Sequence, residues 1–284
     1  MSSPIVRTVG DLRARIAKWR KAGERIALVP TMGALHQGHL SLAALAKKQA
    51  DRAVVSIFVN PIQFGPREDF NLYPRDEAGD LQKLAGAGAD LVFAPDPGEM
   101  YPPGFSTRVN VGDLTEDLCG AARPNHFDGV ATVVTKLLLQ CAPDIAIFGE
   151  KDYQQLLVIK LLVRDLNIPV EIVGAPIVRE SDGLALSSRN AYLSPAERKI
   201  APLLHRTIVE IAADLANGRG ADDAAEAARF KLEAAGFRVN YVAVRHPDTL
   251  NPLHGPVKQA RVLAAAFLGK TRLIDNVPVR ATNR

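Results

Sequence analysis

The stretch RIALVPTMGALHQGHLSLAAL (25–45) decides the fold, because an apolar run, a polar junction and a helical pattern follow one another directly. The run RIALVP (25–30) is continuous rather than alternating, which is expected for a strand buried on both faces of a parallel sheet. HLSLAAL then repeats apolar residues at helical spacing. We therefore predict a strand, a sharp junction and a helix.

The same succession recurs along the first two thirds of the chain. Four further apolar runs are separated by helical patterns: AVVSIFVN (53–60), DLVFAP (90–95), DIAIFG (144–149) and VEIVGAP (170–176). Alternation of this kind predicts an α/β fold, a Rossmann-like doubly wound parallel sheet. The Gly- and Pro-rich stretch 95–128 is too long for a simple connection, which predicts a loop that is functional or contains small elements of its own. Ligands of such sheets bind beyond the carboxyl ends of the strands.

Composition changes after residue 180. The stretch 194–218 predicts one helix that begins at a Ser194 cap, and 222–236 predicts a second helix. The segments 237–246 and 261–277 then predict strands, with a turn at Gly269. We therefore predict a catalytic domain of residues 1–178 and a smaller C-terminal α+β domain of residues 179–284, which would act as a lid.

Bulk properties narrow the function classes. The 284 residues carry a formal net charge of +4, and the pI is near 9.1. This positive charge fits a site for anionic small molecules, or it serves only to keep the protein in solution. No long Lys/Arg block favours nucleic acid. The two cysteines match no metal-ligand spacing, and Cys141 lies in an apolar run as a core residue would. Together with the lack of a long apolar run, this predicts a cytoplasmic protein without membrane contact.

The first junction carries two histidines, His36 and His39, three residues apart at the start of a helix. This spacing places both on one face of the first turn, where unpaired N–H groups and the helix dipole favour an anion. Gly38 between them allows a ligand to approach the backbone. Two capping histidines would be the ordinary alternative. The placement directly after a strand favours a phosphate site.

Three further segments follow strand ends or the predicted domain boundary. Asn60 and Gln63 offer polar groups for a small substrate, although an ordinary polar turn fits them equally well. In GEKDYQQ (149–155), Lys151 would contact a phosphate, and Asp152 with Gln155 would also fit a capping box. In LALSSRN (184–190), two hydroxyls and a guanidinium would clamp a phosphate, or form a polar hinge.

The carboxylates Asp76 and Asp80 could hold Mg²⁺ through water. They are more typical of the solvated acidic first turn of a helix. The sequence therefore leaves the protein ligands of a metal unknown.

In this order, PTMGALHQGH, FVNPIQF, YPR, RPNHFDGV, FGEKDYQQL and DGLALSSRN resemble the pantoate–β-alanine ligase (pantothenate synthetase) family of the HxGH nucleotidyltransferase superfamily. The resemblance extends from about residue 5 to the C-terminus. It implies an AMP-forming acid–amine ligase of the coenzyme A pathway. Such an enzyme uses ATP with Mg²⁺ to convert pantoate to pantoyl adenylate and diphosphate, and β-alanine then displaces AMP to give pantothenate. The family is commonly homodimeric.

The resemblance also implies roles for individual residues. Catalytic roles fall to His39, His36 and Lys151; His39 would act either as a proton donor or only electrostatically. Pantoate contacts fall to Gln63 and Gln155, with Asn60 and Arg123 beside them, and Gln63 also binds β-alanine. The implied ATP-binding residues are Met32, Gly33, Ala34, Leu35, His36, Gln37, Gly38, His39, Gly149, Glu150, Lys151, Asp152, Val178, Leu186, Ser187, Ser188 and Arg189.

Two other classes stay open. A nucleotidyltransferase of the same superfamily would share the histidine chemistry but would need no amine site. A non-catalytic nucleotide-binding module would release no diphosphate. A tRNA-charging enzyme is disfavoured, since the sequence shows no anticodon-binding domain.

Overall fold

The computed structural model describes residues 3–66 and 68–280, and its first part contains the predicted parallel sheet. Its six strands are β1 (Ile5–Val6), β2 (Ile26–Thr31), β3 (Arg52–Ile57), β4 (Leu91–Phe93), β5 (Ile145–Gly149) and β6 (Glu171–Ala175). They lie in the order β1-β4-β3-β2-β5-β6, and every pairing is parallel. The five predicted strands are confirmed, whereas β1 is too short to have been visible as an apolar run.

Helices connect these strands. They are α1 (Val9–Lys21), α2 (Gln37–Gln49), α3 (Glu77–Gly86), α4 (Pro97–Met100), α5 (Cys119–Ala122), α6 (His126–Cys141) and α7 (Tyr153–Asp165). The irregular stretch 95–128 contains only the one-turn helices α4 and α5 and the start of α6, as predicted. Strand residues such as Ala27, Val29, Val55 and Ile147 are fully buried, because helices cover both faces of the sheet.

The C-terminal part is the predicted smaller α+β arrangement. It contains α8 (Pro195–Ile200), α9 (Leu203–Ala216), α10 (Ala221–Ala234), β7 (Phe237–Arg245), β8 (Gln259–Leu268) and β9 (Thr271–Arg280). The three strands form an antiparallel sheet in the order β7-β8-β9, and Gly269 has a positive φ of 57° in the β8–β9 turn. Residues of α9, α10 and the sheet share one apolar core.

The prediction of a single helix over 194–218 is wrong, because the structure has two helices there. The first begins as expected, with Ser194 and Glu197 in a reciprocal capping box. It ends at Ile200, and α9 begins at Leu203. Pro202 separates them, since proline has no N–H to continue the hydrogen-bond ladder. The apolar periodicity continues through this break, which is why the pattern alone did not reveal it.

The chain divides into two units. The N-terminal unit comprises the chain up to Glu150 together with Val158–Pro176, and the C-terminal unit comprises Lys151–Leu157 together with the chain from Ile177 onward. The predicted domain boundary at 178/179 stays a prediction, and residues 1–2, 67 and 281–284 of those ranges lie outside the described residues. Among the described helices, none is long and apolar enough to cross a membrane.

Candidate active site

The junction between β2 and α2 has an unusual backbone. Gly33 and Ala34 both have positive φ values, 81° and 51°. His36 then adopts an extended conformation as the N-cap of α2. The buried Leu35 anchors the segment between them. The chain therefore passes from strand to helix over five residues, 32–36, and the first N–H groups of α2 follow His36 directly.

The two histidines turn the same ring atom towards the backbone. Nδ1 of His36 accepts a hydrogen bond from the Gly38 N–H at 3.1 Å, and Nδ1 of His39 accepts one from the His36 N–H at 3.4 Å. The ring centroids are 4.1 Å apart. A nitrogen that accepts an N–H carries no proton, so each neutral ring has its proton on Nε2. This helix start therefore combines two ring N–H donors with the positive end of the α2 dipole, which suits an anion.

A buried carboxylate supports this junction from α3. Asp80 is 1% exposed, and its Oδ1 accepts a hydrogen bond from the Leu35 N–H at 2.8 Å. Lys83 Nζ donates to the Leu35 carbonyl at 3.0 Å and lies 3.5 Å from Asp80 Oδ1. Asp80 and Lys83 together therefore fix both backbone groups of Leu35.

The expectation of a solvated acidic first turn holds for Asp76 but is wrong for Asp80. Asp76 is exposed and caps α3 by accepting from the Gly79 N–H at 3.0 Å. Asp80 is directed inward because it is one turn further along the same helix and faces the Leu35 N–H. In the part of the chain that the structure describes, no group of three or more His, Cys, Asp or Glu side chains is arranged to hold a metal ion.

A chain of hydrogen bonds fixes the amide of Gln63, which lies in a one-turn 3₁₀ helix after β3. Asn60 Nδ2 donates to Gln63 Oε1 at 2.9 Å and to the Gly129 carbonyl at 3.0 Å. The Tyr101 hydroxyl donates to Asn60 Oδ1 at 2.7 Å. Gln63 Nε2 in turn lies 3.2 Å from Met32 Sδ. Because Asn60 donates twice and accepts once, the orientation of both amides follows from the network.

Gly129 is required for this arrangement. A Cβ at Gly129 would lie 2.6 Å from Gln63 Cα and 2.6 Å from the Ile62 carbonyl oxygen. No side chain can be accommodated at that distance from backbone. Residue 129 therefore has to be glycine for α6 to lie against the Gln63 segment and for its carbonyl to receive Asn60.

Arg123 is engaged with other protein groups. Its guanidinium makes two hydrogen bonds to the Glu68 carboxylate, at 2.6 and 2.8 Å, and a third contact at 2.8 Å to His126 Nε2. His126 Nδ1 is 2.9 Å from the Gln63 carbonyl. Because Nε2 faces a guanidinium N–H, the ring proton lies on Nδ1 and is donated to that carbonyl. The expected substrate contact of Arg123 stays a prediction. Its observed partner His126 contacts the Gln63 carbonyl, so Arg123 is linked to the Gln63 backbone through that ring.

Strand β5 ends at Gly149, and a single 3₁₀ turn, Glu150–Asp152, follows it and includes Lys151. Burial lowers the pKa of the Lys151 ammonium from its ordinary value, and Arg189 lowers it further, whereas Asp152 and Asp275 raise it. Asp152 is exposed and Gln155 is partly buried. The capping box predicted for these two residues stays a prediction.

The 178–189 segment forms a small hairpin. The Leu186 N–H donates to the Val178 carbonyl at 3.0 Å, and Arg179 and Ala185 form an antiparallel bridge. The Ser187 hydroxyl then accepts from the Arg189 N–H at 3.3 Å and begins a short 3₁₀ helix, Ser188–Tyr192. All four residues of 186–189 are partly buried.

The structure thus joins some predicted residues directly. Met32, Asn60 and Gln63 form one hydrogen-bonded chain, His36 and His39 lie against each other, and Val178 is bonded to Leu186. Three residues that are hydrogen-bonded to predicted site residues were missed from the sequence: Tyr101, His126 and Asn276. Asp80 was considered only as a water-mediated metal ligand or a solvated residue, and its contact with Leu35 was not foreseen. Only His126 gave a signal, since it lies in the family motif RPNHFDGV.

A parallel α/β sheet whose second strand leads through a histidine pair into a helix defines an α/β protein with a candidate anion site at a strand-to-helix junction. The family model for pantoate-beta-alanine ligase matches residues 4–278. The chain belongs to the pantoate-beta-alanine ligase family.

Similar proteins extend over the full chain. The pantothenate synthetase of Rhodospirillum rubrum is 57% identical, with 97% of this chain and 99% of that protein covered. The pantothenate synthetase of Caulobacter vibrioides is 56% identical, with 98% and 100% covered. A crystal structure of pantothenate synthetase from Thermus thermophilus has a TM-score of 0.92 at 50% identity, covering 98% of this chain and 99% of that one.

A structure with bound molecules is also similar. The pantoate-beta-alanine ligase of Francisella tularensis, complexed with beta-gamma ATP and beta-alanine, has a TM-score of 0.83 at 35% identity. The match covers 97% of both chains. These similarities support the α/β fold with a smaller antiparallel C-terminal sheet and the assignment of the chain to a family of ligases.

Proposed function

We propose that this protein condenses (R)-pantoate with β-alanine to pantothenate in an ATP-driven reaction, through a pantoyl-adenylate intermediate. Family membership over residues 4–278 supports the overall reaction. The observation in the structure that carries the proposal is that Nδ1 of both His36 and His39 accepts a backbone N–H at the start of α2, which assigns the ring protons to Nε2.

In the first step, a pantoate carboxylate oxygen attacks the α-phosphorus of ATP. The bond from that phosphorus to the bridging oxygen breaks, and diphosphate leaves with the electron pair. Negative charge grows on the phosphate oxygens, so donors that are already oriented stabilise the transition state more than the ground state. We propose that His36 and His39 supply these donors. If His39 acts only electrostatically, it keeps its proton. If it acts as a proton donor, the proton on Nε2 is the one that it transfers.

In the second step, the neutral amine of β-alanine attacks the acyl carbon of the mixed anhydride. AMP leaves with the electrons of the acyl–oxygen bond, and the amine loses one proton. Adenylation is needed because a free carboxylate is a poor acceptor for an amine. Holding both partners in place contributes further to the rate.

We propose that pantoate accepts a hydrogen bond from Gln63 Nε2. Oε1 of this amide is already bonded to Asn60, so the amide presents its donor side towards Met32 and the adjoining space. β-Alanine would use the same donor for its carboxylate in the second step. We assign Gln155 as a second pantoate contact. For Arg123, the bonds to Glu68 and His126 support an indirect role through the Gln63 backbone.

We propose that ATP is contacted by the residues that the family resemblance implies. These are Met32, Gly33, Ala34, Leu35, His36, Gln37, Gly38, His39, Gly149, Glu150, Lys151, Asp152, Val178, Leu186, Ser187, Ser188 and Arg189. Mg²⁺ would enter with ATP as part of the substrate, since this ion keeps several waters and prefers substrate phosphates.

We further propose a cytoplasmic homodimer. The chain has two cysteines, Cys119 and Cys141, which are too few for a disulfide framework, as is usual for proteins of a reducing compartment. Leu72 and Leu139 of the N-terminal unit are 79% and 59% exposed, and a second subunit would cover apolar groups of this kind. Light scattering on the purified protein would distinguish a dimer from a monomer.

Product formation with substrates omitted one at a time tests the reaction. Diphosphate release should require pantoate, and pantothenate should appear only when β-alanine is also present. Diphosphate release without pantoate would instead indicate a nucleotidyltransferase, and ATP binding without turnover would indicate a binding module.

A further inference from the structure

A buried ion-pair network lies in the C-terminal unit. Asp275 of β9 is 4% exposed, and Arg179 binds both of its oxygens, at 2.6 and 2.9 Å. His205 Nδ1 lies 3.2 Å from Oδ2 of the same carboxylate. Burial raises the pKa of Asp275, but the nearby His205 and the two hydrogen bonds from Arg179 outweigh this effect, and the pKa lies below its ordinary value. Asp275 is therefore a fixed negative charge at neutral pH.

The network holds the hairpin that carries the 186–189 segment. Arg179 Nη1 donates to the Gly183 carbonyl at 3.1 Å while it binds Asp275. Gly183 has a φ of 93°, and a Cβ there would lie 2.8 Å from His205 Cδ2. The turn is therefore packed against His205 at a distance that only glycine permits.

The adjacent residue of β9 holds the second segment. Asn276 Nδ2 donates to the Lys151 carbonyl at 3.0 Å, and Asn276 Oδ1 accepts from Arg261 Nε at 2.7 Å. The Arg261 guanidinium lies 3.8 Å from the ring centroid of Tyr153. The Asn276 N–H also donates to Asp275 Oδ1 at 2.7 Å, which links the two residues.

Two chain segments that are 28 residues apart, at Lys151 and at Arg179, are thus bonded to neighbouring side chains of one strand. We propose that Asp275 and Asn276 are positioning residues for nucleotide binding, which hold the Lys151 segment and the 179–189 hairpin in one fixed arrangement. This inference rests on the proposed function, because it takes both segments to contact ATP. Asp275 also raises the pKa of Lys151 and so favours the charged ammonium.

The test uses two isosteric variants of the full-length chain. Asp275→Asn removes the charge, and Asn276→Asp removes the donor to the Lys151 carbonyl while it keeps an acceptor for Arg261. Ile211→Val, in the apolar core of the same unit, is the control for a small loss of stability. KM values for ATP and β-alanine are measured from diphosphate and pantothenate formation, and Tm from calorimetry.

We expect KM for ATP to rise about tenfold in both variants, a loss of about 1.4 kcal/mol of binding, with KM for β-alanine within about twofold of wild type. Ile211→Val should lower Tm and leave both constants unchanged. A folded Asn276→Asp protein with wild-type KM for ATP would overturn the inference. If Asp275→Asn does not fold, the result for Asn276→Asp alone decides the test. A wild-type protein without pantoate-dependent turnover would refute the proposed function itself.

Discussion

The orientation of the Gln63 amide can be reversed by one isosteric substitution, Asn60→Asp. Asn60 is 1% exposed, and its Nδ2 donates to Gln63 Oε1 and to the Gly129 carbonyl. A carboxylate cannot donate, but it still accepts from the Tyr101 hydroxyl. The Gln63 amide should therefore turn over, so that its Nε2 donates to the new carboxylate and its oxygen faces the position proposed for pantoate.

The size of the effect follows from the bonds that change. Pantoate would lose a hydrogen bond between an N–H and its carboxylate, which is worth about 1.5–3 kcal/mol. We expect kcat/KM for pantoate to fall roughly 10- to 150-fold, since each 1.4 kcal/mol is about a factor of ten. The Gly129 carbonyl would also lose its donor, at a cost of about 1–3 kcal/mol in the free energy of unfolding.

The assay is the initial rate of diphosphate release against pantoate at saturating ATP, with Tm measured on the same samples. KM for ATP should stay within about threefold of wild type. Asn276→Asp provides the matched comparison, since the same substitution in the other unit should affect ATP and spare β-alanine. A folded Asn60→Asp protein with unchanged kcat/KM for pantoate would refute the proposed role of the Gln63 amide.

Three further predictions concern the nucleotide. His39→Ala should lower the adenylation rate by about 10²–10³, the usual cost of one lost donor to a developing oxyanion, with Tm nearly unchanged; normal single-turnover diphosphate release would contradict this. Asp80→Ala should lower kcat/KM for ATP by about tenfold because the Leu35 N–H loses its acceptor. Asp80→Asn should restore most of that loss through its amide oxygen, and equal defects in the two variants would argue against positioning. The pKa of Lys151 is lowered, so its ammonium loses the proton at a lower pH than an ordinary lysine does. We therefore expect kcat/KM for ATP, measured in the adenylation step without β-alanine, to fall at a pH below the ordinary lysine pKa. Lys151→Arg should remove that alkaline limb, and an unchanged profile would exclude Lys151 as its cause.

The sequence predicted the framework of the fold because local patterns determine it. Continuous apolar runs located β2, β3, β4, β5 and β6, and the Ser194 cap located the start of α8. The break at Pro202 was missed because apolar residues keep their helical spacing on both sides of it. Strand β1 has two residues, too few for a pattern to appear.

The candidate site was predictable only in part. The histidine pair and Gln63 were found because each follows directly on a strand and belongs to a motif of the family. Asp80 was assigned to solvent because its contact with Leu35 joins residues 45 positions apart. Tyr101 lies in an irregular stretch, and Asp275 and Asn276 lie within a strand, so no local pattern distinguishes them. Their roles depend on tertiary contacts, which one sequence does not reveal.

The central claim is that the protein activates pantoate as an adenylate before it uses the amine. The most direct measurement is AMP formation from Mg·ATP and pantoate, with and without β-alanine, on the purified wild-type chain. Sustained AMP release should require both pantoate and β-alanine and should equal pantothenate formation mole for mole. Turnover of ATP that is independent of pantoate, or AMP formation that does not respond to β-alanine, would contradict the account.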